Sequence, residues 1–265
     1  MQSLVSVIIP TKNTAFTLET CLQSIENQTY KYIEIIVIDN NSTDKTVSIA
    51  KQFTKSVFTK GNERSAQRNF GATKSRGEYL IFVDADMYLS PEVIRECVQK
   101  IQKHVGLYIP ERILGTGIWG QVRDFERQFY TGTVIDAIRF VPRQIFDTVK
   151  GFDENLTAGE DWDFDKRIRK LGSTQIIKSA LFHDERNKSL TDYLSKKTSY
   201  SKPLQAYISK WPNDTEVAKQ LGFGYRFIGV FTEHGKWKQL LKHPILTILM
   251  FLQRIAVGVS YFVTR

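Results

Sequence analysis

Gly77-Glu78-Tyr79-Leu80-Ile81-Phe82-Val83-Asp84-Ala85-Asp86 is the stretch from which the fold is read. Tyr79–Val83 is a short apolar run, too brief for a helix, and it reads as a strand buried on both faces. It stops at two aspartates. Upstream the same pattern recurs. Leu4–Ile9 is an apolar strand ending in Pro10-Thr11-Lys12-Asn13, and Ile33–Ile38 (IEIIVI) is another, ending in Asp39-Asn40-Asn41. Leu18, Cys21, Leu22 and Ile25 recur at helical spacing between them, and Val47, Ala50 and Phe53 mark a second helix after a cap-rich turn. Val57–Phe58 is a short third strand, and a helix over Ser65–Lys74 leads into Tyr79–Val83. Ser90-Pro91-Glu92 then opens a helix with Val93, Ile94, Cys97, Val98 and Ile101 on one face. Alternating buried strands and helices predict an α/β fold, a mostly parallel sheet covered on both sides. Ligands of such sheets bind beyond the carboxyl ends of the strands, and all three polar tips fall there.

The whole chain supports that reading. Its 265 residues, 42% hydrophobic and 12% aromatic, suffice for one large α/β domain and exclude disordered, collagen-like and disulfide-scaffold classes. Cys21 and Cys97 both lie in apolar helical patterns and suit reduced, buried thiols. A formal charge of +9 suits a polyanionic partner: a nucleoside diphosphate, a nucleic acid or an anionic membrane. No secretory signal is read at the N-terminus, because Leu4–Ile9 is too short for a signal core and lacks a preceding basic region.

The second half is less regular. Residues 106–135 read as a mobile loop and helix, Thr133–Val141 as a strand, and Glu160–Leu171 as a helix with Phe164, Ile168 and Leu171 inward. Thr174–Lys178 reads as a strand. From Ser189 onward the pattern is helical, with Tyr193, Tyr200 and Tyr207 seven apart. Three regions follow: 1–105, 106–188 and a helical 189–265.

Several residues could carry chemistry. Asp84 and Asp86, two apart at a strand end, point their carboxylates the same way and suit a hard cation, Mg2+ or Mn2+. Turn capping is the bland alternative. Asp39 could bind a base or ribose, or cap the next helix. The fork of Arg68 suits a nucleotide or diphosphate, with a surface ion pair as the plain alternative. Glu160, Asp161 and Asp163 open a helix, where the dipole stabilises them, and one could serve as a general base. His183 follows a strand and is either structural or a metal ligand.

Taken in order, these pieces resemble the family 2 glycosyltransferases of GT-A fold: Pro-Thr-Lys-Asn, Asp-Asn-Asn-Ser-Thr-Asp, Arg-Asn before Gly-Glu-Tyr-Leu-Ile-Phe-Val-Asp-Ala-Asp, Gly-Glu-Asp-Trp-Asp-Phe, and a downstream His. The resemblance covers about residues 3–185 and implies an inverting, metal-dependent transferase with a Rossmann-like GT-A sheet. It implies that Pro10, Thr11, Asn13, Asp39 and Arg68 contact the nucleotide, UDP or GDP, and that Asp84 holds the ribose. Asp86 would bind the metal, His183 would complete the metal and diphosphate contacts, and Asp161 would be the base, with Glu160 beside it. Lys12 departs from the pattern, since the family often carries Tyr there. It also makes 1–105 the nucleotide-sugar half and 106–188 the acceptor-binding and catalytic half, with lipid-linked or glycan acceptors.

Pro244–Val263 is almost wholly apolar, but a span would put Gln253-Arg254 near the midplane, where an arginine costs about 2.5–3.5 kcal/mol. An interfacial helix with Lys236, Lys238, Lys242 and Arg254 at lipid headgroups is expected instead, placing the protein peripherally on the cytoplasmic face; packing on its own core or in an oligomer is the alternative. Two other functions compete. A nucleotidyltransferase making nucleotide sugars normally opens with a Gly-rich basic loop, absent from Pro10–Thr14. A non-enzymatic nucleic-acid or membrane-binding module needs no carboxylates at three strand ends, so no nucleic-acid partner is expected.

Overall fold

In the computed structural model, which describes residues 2–61, 63–186 and 203–263, the four strands read in the first half of the sequence stand side by side at one edge of a seven-stranded sheet. Its first half comprises β1 (Val5–Thr11), α1 (Ala15–Glu26), β2 (Ile33–Asp39), α2 (Thr46–Phe53), β3 (Val57–Thr59), α3 (Arg64–Lys74) and β4 (Tyr79–Phe82). There follow β5 (Met87–Leu89), α4 (Val93–Lys100), β6 (Gly106–Tyr108), β7 (Glu111–Leu114), α5 (Gly117–Gln128), β8 (Phe140–Pro142) and α6 (Arg143–Thr148). The last part of the domain is α7 (Glu160–Arg169), β9 (Thr174–Ile176) and β10 (Leu181–Asp184).

The large sheet runs β3-β2-β1-β4-β8-β6-β9, parallel except where β8 pairs with β4 and β6. All seven residues of β1 are buried. α1 and α4 cover one face through Leu18, Leu22, Val93 and Ile94. On the other, Ile8, Leu80 and Phe82 meet Phe146, Phe152, Phe164 and Ile168. Gly71 lets α3 lie flat on β1, since a Cβ there would stand 2.5 Å from Ile8 Cγ2. A second sheet, β5-β10-β7, stands beside the first.

The structure revises several readings of the second half. Residues 106–135 hold β6, β7 and α5 rather than a loop with one helix. The strand expected over Thr133–Val141 begins only at Phe140. Before it, Asp136 accepts from Gly132 N and pairs with Arg127, and these turn bonds displace strand pairing. Leu171 is exposed, because α7 stops at Arg169 and the chain turns away. The strand expected over Thr174–Lys178 ends at Ile176. Tyr193 and Tyr200 lie outside the described residues.

The C-terminal region contains α8 (Leu204–Lys210), α9 (Thr215–Leu221), a π-helical turn at Tyr225–Gly229, α10 (Trp237–Lys242) and α11 (Pro244–Val263). α11 packs on α5, with Met250 against Val122, Phe125, Phe129 and Phe231. Arg254 is not at a headgroup position. It is largely buried, donating to Glu126, Tyr130 and the Arg226 carbonyl. Lys236 likewise donates to Phe129 O at 2.6 Å. With Glu126 already buried on α5, the guanidinium supplies the counter-charge without which that carboxylate would be stranded. No helix among the described residues is long and apolar enough to cross a membrane.

Candidate active site

Beyond the carboxyl ends of β1 and β4 lies a cleft of about 420 Å3, lined by Pro10–Thr14, Phe16, Arg64, Gln67, Asp84–Asp86, His183 and Asp184. The strand tips are joined by side chains. Thr11 Oγ1 donates to Asp39 Oδ1 at 3.0 Å, and Asp39 also accepts from Ser42 N and Oγ. Asn13 and Asn41 both adopt the left-handed backbone that asparagine tolerates. Asn13 Oδ1 accepts from Thr43 N at 2.8 Å, locking the two turns together. Asp39 is thus buried behind Thr11, spent on the turn, while Pro10, Thr11 and Asn13 face the cleft.

Arg68 is 1% exposed. One of its nitrogens donates to Asp84 at 2.8 Å and the other to Asp161 at 2.7 Å, and its plane rests 5.1 Å above Phe152. The expected free fork is therefore a brace between the strand-end aspartates and α7. Burial would raise the Asp84 carboxyl, but Arg68, Arg139 and Arg64 hold it well below the usual range.

α7 is helical for reasons legible locally. Gly159 caps it at φ +77°, Glu160, Asp161 and Asp163 fill its first turn, and Lys166, Arg167 and Arg169 its last. Glu160 is buried, 3.4 Å from Arg64 and 3.8 Å from Arg68. Burial, followed by the charge of Asp161, pushes its carboxyl up to about 7, against the pull of the two arginines. Asp161 is the more accessible of the two, its side chain 40% exposed.

The small sheet supplies the remaining groups. Asp86 immediately precedes β5, and His183 lies in β10 opposite Met87. His183 Nε2 is 3.1 Å from Asp86 Oδ2, and Nδ1 is 3.2 Å from Glu111 Oε1. Burial would lower the imidazole, but bonding to both carboxylates raises it to about 9.

A divalent cation fits this pair. Two adjacent ligands of an octahedron with bonds of about 2.1 Å stand about 3 Å apart, close to the 3.1 Å between Nε2 and Oδ2. Among the described residues no three His, Cys, Asp or Glu side chains converge on one cation. The protein would thus give two ligands, leaving positions for substrate phosphates and water.

Sequence reasoning missed Arg64, Glu111 and Arg139, and named Lys12 only within a strand tip and as a departure from the family pattern. Arg64 was within reach, one helical turn before Arg68 on the same face of α3. Glu111 lay in a stretch read as loop.

Comparisons with known proteins agree with this geometry. The family model described as "Glycosyl transferase family 2" matches residues 6–151. Glycosyltransferase GlyG of Streptococcus pneumoniae serotype 4 is 29% identical over 192 residues, covering 69% of this chain and 60% of that protein. Glycosyltransferase GlyA of the same organism is 28% identical over 188 residues, 69% of this chain but 25% of that one. The chain therefore spans a quarter to three-fifths of these relatives. Among solved structures, the mannosyltransferase PcManGT from Pyrobaculum calidifontis, in complex with GDP-Man and Mn2+, superposes with a TM-score of 0.65 at 16% identity, covering 99% of this chain and 88% of that one. S. aureus TarS 1-349 in complex with UDP gives 0.54 at 16% identity, covering 97% and 88%. At such identities the likeness shows the fold, which is GT-A.

Proposed function

Because the chain belongs to glycosyl transferase family 2, we propose that it moves a sugar from a nucleoside-diphosphate sugar to an acceptor hydroxyl, with inversion at the anomeric carbon. The observation that carries this reading is the single cleft that gathers two strand tips, Asp84, Asp86, His183 and Arg64. The GDP-Man and UDP bound by proteins of like fold support a nucleoside diphosphate as its ligand.

In this reading Thr11 and Asn13 border the nucleotide, with Asp39 fixing their turn from behind. Asp84 meets the ribose, and Lys12 and Arg64 meet the diphosphate. Asp161 takes the acceptor proton as the acceptor oxygen attacks the anomeric carbon opposite the leaving group. The carbon–oxygen bond to the diphosphate breaks, and the nucleoside diphosphate departs with that electron pair. Asp86 and His183 would hold Mg2+ or Mn2+, which when bound offsets the charge gathering on the departing phosphate. Arg68 keeps Asp161 at a set distance from Asp84, so the base and the donor site share one brace. Glu160, its carboxyl pushed up by burial and by the Asp161 charge, is partly protonated near neutrality and so adds less negative charge beside Asp161.

The acceptor in this proposal is a lipid-linked or cell-surface glycan, reached at the cytoplasmic face of a membrane. Support comes from an outward apolar ridge on α10 and α11, Leu241, Ile245, Ile248, Leu252 and Ile255, all more than half exposed. Lys238 and Lys242 are exposed beside it, and no acidic residue occurs after Glu233. Such a face favours an anionic leaflet.

A thermal-shift panel of UDP, GDP and their sugars, with and without Mn2+, tests the function. A ligand at 100 times its Kd adds about 2.7 kcal/mol, a clear rise in Tm. The expected result is a Mn2+-dependent rise with at least one nucleotide, followed by transfer or slow hydrolysis of its sugar. The absence of any nucleotide response overturns the reading.

A further inference from the structure

Glu111 plays no part in the reaction as set out above, yet it is buried, charged and next to the candidate cation site. It lies on β7, which pairs in parallel with β10 so that Glu111 stands opposite Leu181 and His183 opposite Ile113. Two residues apart in register, Glu111 and His183 share one face of the small sheet. Glu111 Oε1 is 3.2 Å from His183 Nδ1, while Oε2 is held by Arg127 at 2.9 Å and Arg139 at 3.3 Å. Arg127 is anchored in turn by Asp136 at 3.1 Å, and Arg139 reaches Asp84 at 3.6 Å. The carboxylate therefore has little freedom to rotate away.

We propose that Glu111 is a positioning residue for the cation site: with a cation bound it keeps the His183 proton on Nδ1, so that Nε2 is the atom offered to the cation beside Asp86. A carboxylate clamped between two guanidiniums can only accept a hydrogen bond, so Nδ1 must donate. Nε2 then faces Asp86 Oδ2 at 3.1 Å, the separation that two adjacent ligands of one octahedral cation take. A carboxylate behind a metal-binding imidazole fixes the tautomer and ring orientation and raises ligand basicity. The small sheet thus delivers three groups in one line: Asp86 ahead of β5, His183 on β10, Glu111 on β7.

The inference rests on Asp86 and His183 being cation ligands, and the test separates the two claims. Free Mn2+ is titrated by its electron paramagnetic resonance signal in the presence of UDP, for the full chain and for Asp86→Ala, Glu111→Ala and Glu111→Gln. Nitrogen-15 NMR of His183 in the protein loaded with Mg2+ and UDP reads the tautomer. Asp86→Ala abolishing Mn2+ binding supports the site itself; no Mn2+ binding by the intact chain removes the site and this inference with it. With binding present, Glu111→Ala should weaken Mn2+ affinity about 10- to 100-fold and mix the His183 tautomers. Glu111→Gln, whose amide oxygen still accepts from Nδ1–H, should restore the tautomer. Unchanged Mn2+ affinity in Glu111→Ala overturns the role of Glu111 alone. Should that variant fail to fold, the intact chain decides: an Nε2–H tautomer in the loaded protein overturns the proposal, and an Nδ1–H tautomer supports it.

Discussion

Glu160→Gln should make the protein more stable at alkaline pH, and the size of the gain follows from the site. The carboxyl lies behind Arg64 and Arg68 with Asp161 beside it, and burial followed by the Asp161 charge raises it from 4.5 to about 7. A group that binds its proton more tightly when folded contributes stability that is complete below the unfolded value. That contribution is lost as pH rises through the folded value. Here the window runs from about pH 4.5 to just above 7. At about 1.4 kcal/mol per tenfold change in proton affinity, the loss comes to about 3 kcal/mol. Glutamine imitates the protonated carboxyl and does not titrate. The difference in unfolding free energy, variant minus parent, should be flat at the acid end and climb by about 3 kcal/mol between pH 4 and pH 8. Urea unfolding at each pH, with equal m values, measures it. Titrating groups remote from Glu160 cancel in the difference, and Asp161, which shares its charge environment, is controlled for separately. In an Asp161→Asn background the climb should shrink, because the second cause has been removed. A difference independent of pH would refute the reasoning, leaving Glu160 ionised throughout.

Three other outcomes follow from the same contacts. Asp161→Asn keeps an acceptor for Arg68 but loses basicity, so kcat should fall about 10²- to 10⁴-fold with donor Kd unchanged by calorimetry; equal losses in both would make Asp161 a binding residue. Arg254→Met should cost about 1.5–3 kcal/mol in urea unfolding, since Glu126 keeps Arg123 and Tyr130 but loses one charged donor from α11; a change within about 0.5 kcal/mol would show that α11 is held by its apolar contacts alone. Replacing Ile245, Ile248 and Leu252 together with Gln should release the protein from anionic vesicles in a sedimentation assay without lowering Tm, as all three are exposed; continued pelleting would refute the membrane contact. Surface substitution is the cleaner perturbation, because cutting the chain at residue 240 would uncover Phe125 and Phe129 on α5.

The first half of the fold was legible because its signals are local. Each strand from β1 to β4 is a short apolar run closed by polar residues, and the helices α1 and α2 repeat their apolar positions at three and four; α3 does not, its buried face being small and polar residues such as Ser65, Gln67 and Arg68. The small sheet was not legible, for an equally physical reason. β5, β7 and β10 are three or four residues long, and β7 alternates buried and exposed positions with charged residues, Glu111 and Arg112. A strand that buries a glutamate carries no apolar signature, because its stability comes from partners elsewhere in the chain. Thr133–Val141 failed in the opposite sense. Its apolar residues are there, but Asp136 closes a turn in the interior, where Gly132 N–H and Arg127 partner its carboxylate.

The site shows the same division at greater range. Strand tips could be read as places where ligands bind, but not as a circuit. Asp86 pairs with His183 across 97 residues, His183 with Glu111 across 72, and Asp161 with Arg68 across 93. Joined through Arg139 and Asp84, these groups alternate in sign from Asp86 to Asp161: carboxylate, imidazole, carboxylate, guanidinium, carboxylate, guanidinium, carboxylate. Alternation is what lets so many charges share one interior, since each is stabilised by its neighbours and stranded without them. It also explains why Arg68 is braced rather than free. The cationic groups left facing the cleft are then Lys12 and Arg64, one outside the circuit and one at its edge, paired with Glu160. A polyanionic donor entering the cleft would meet those two first, so the circuit that sets the base and the cation site can remain intact while the diphosphate binds.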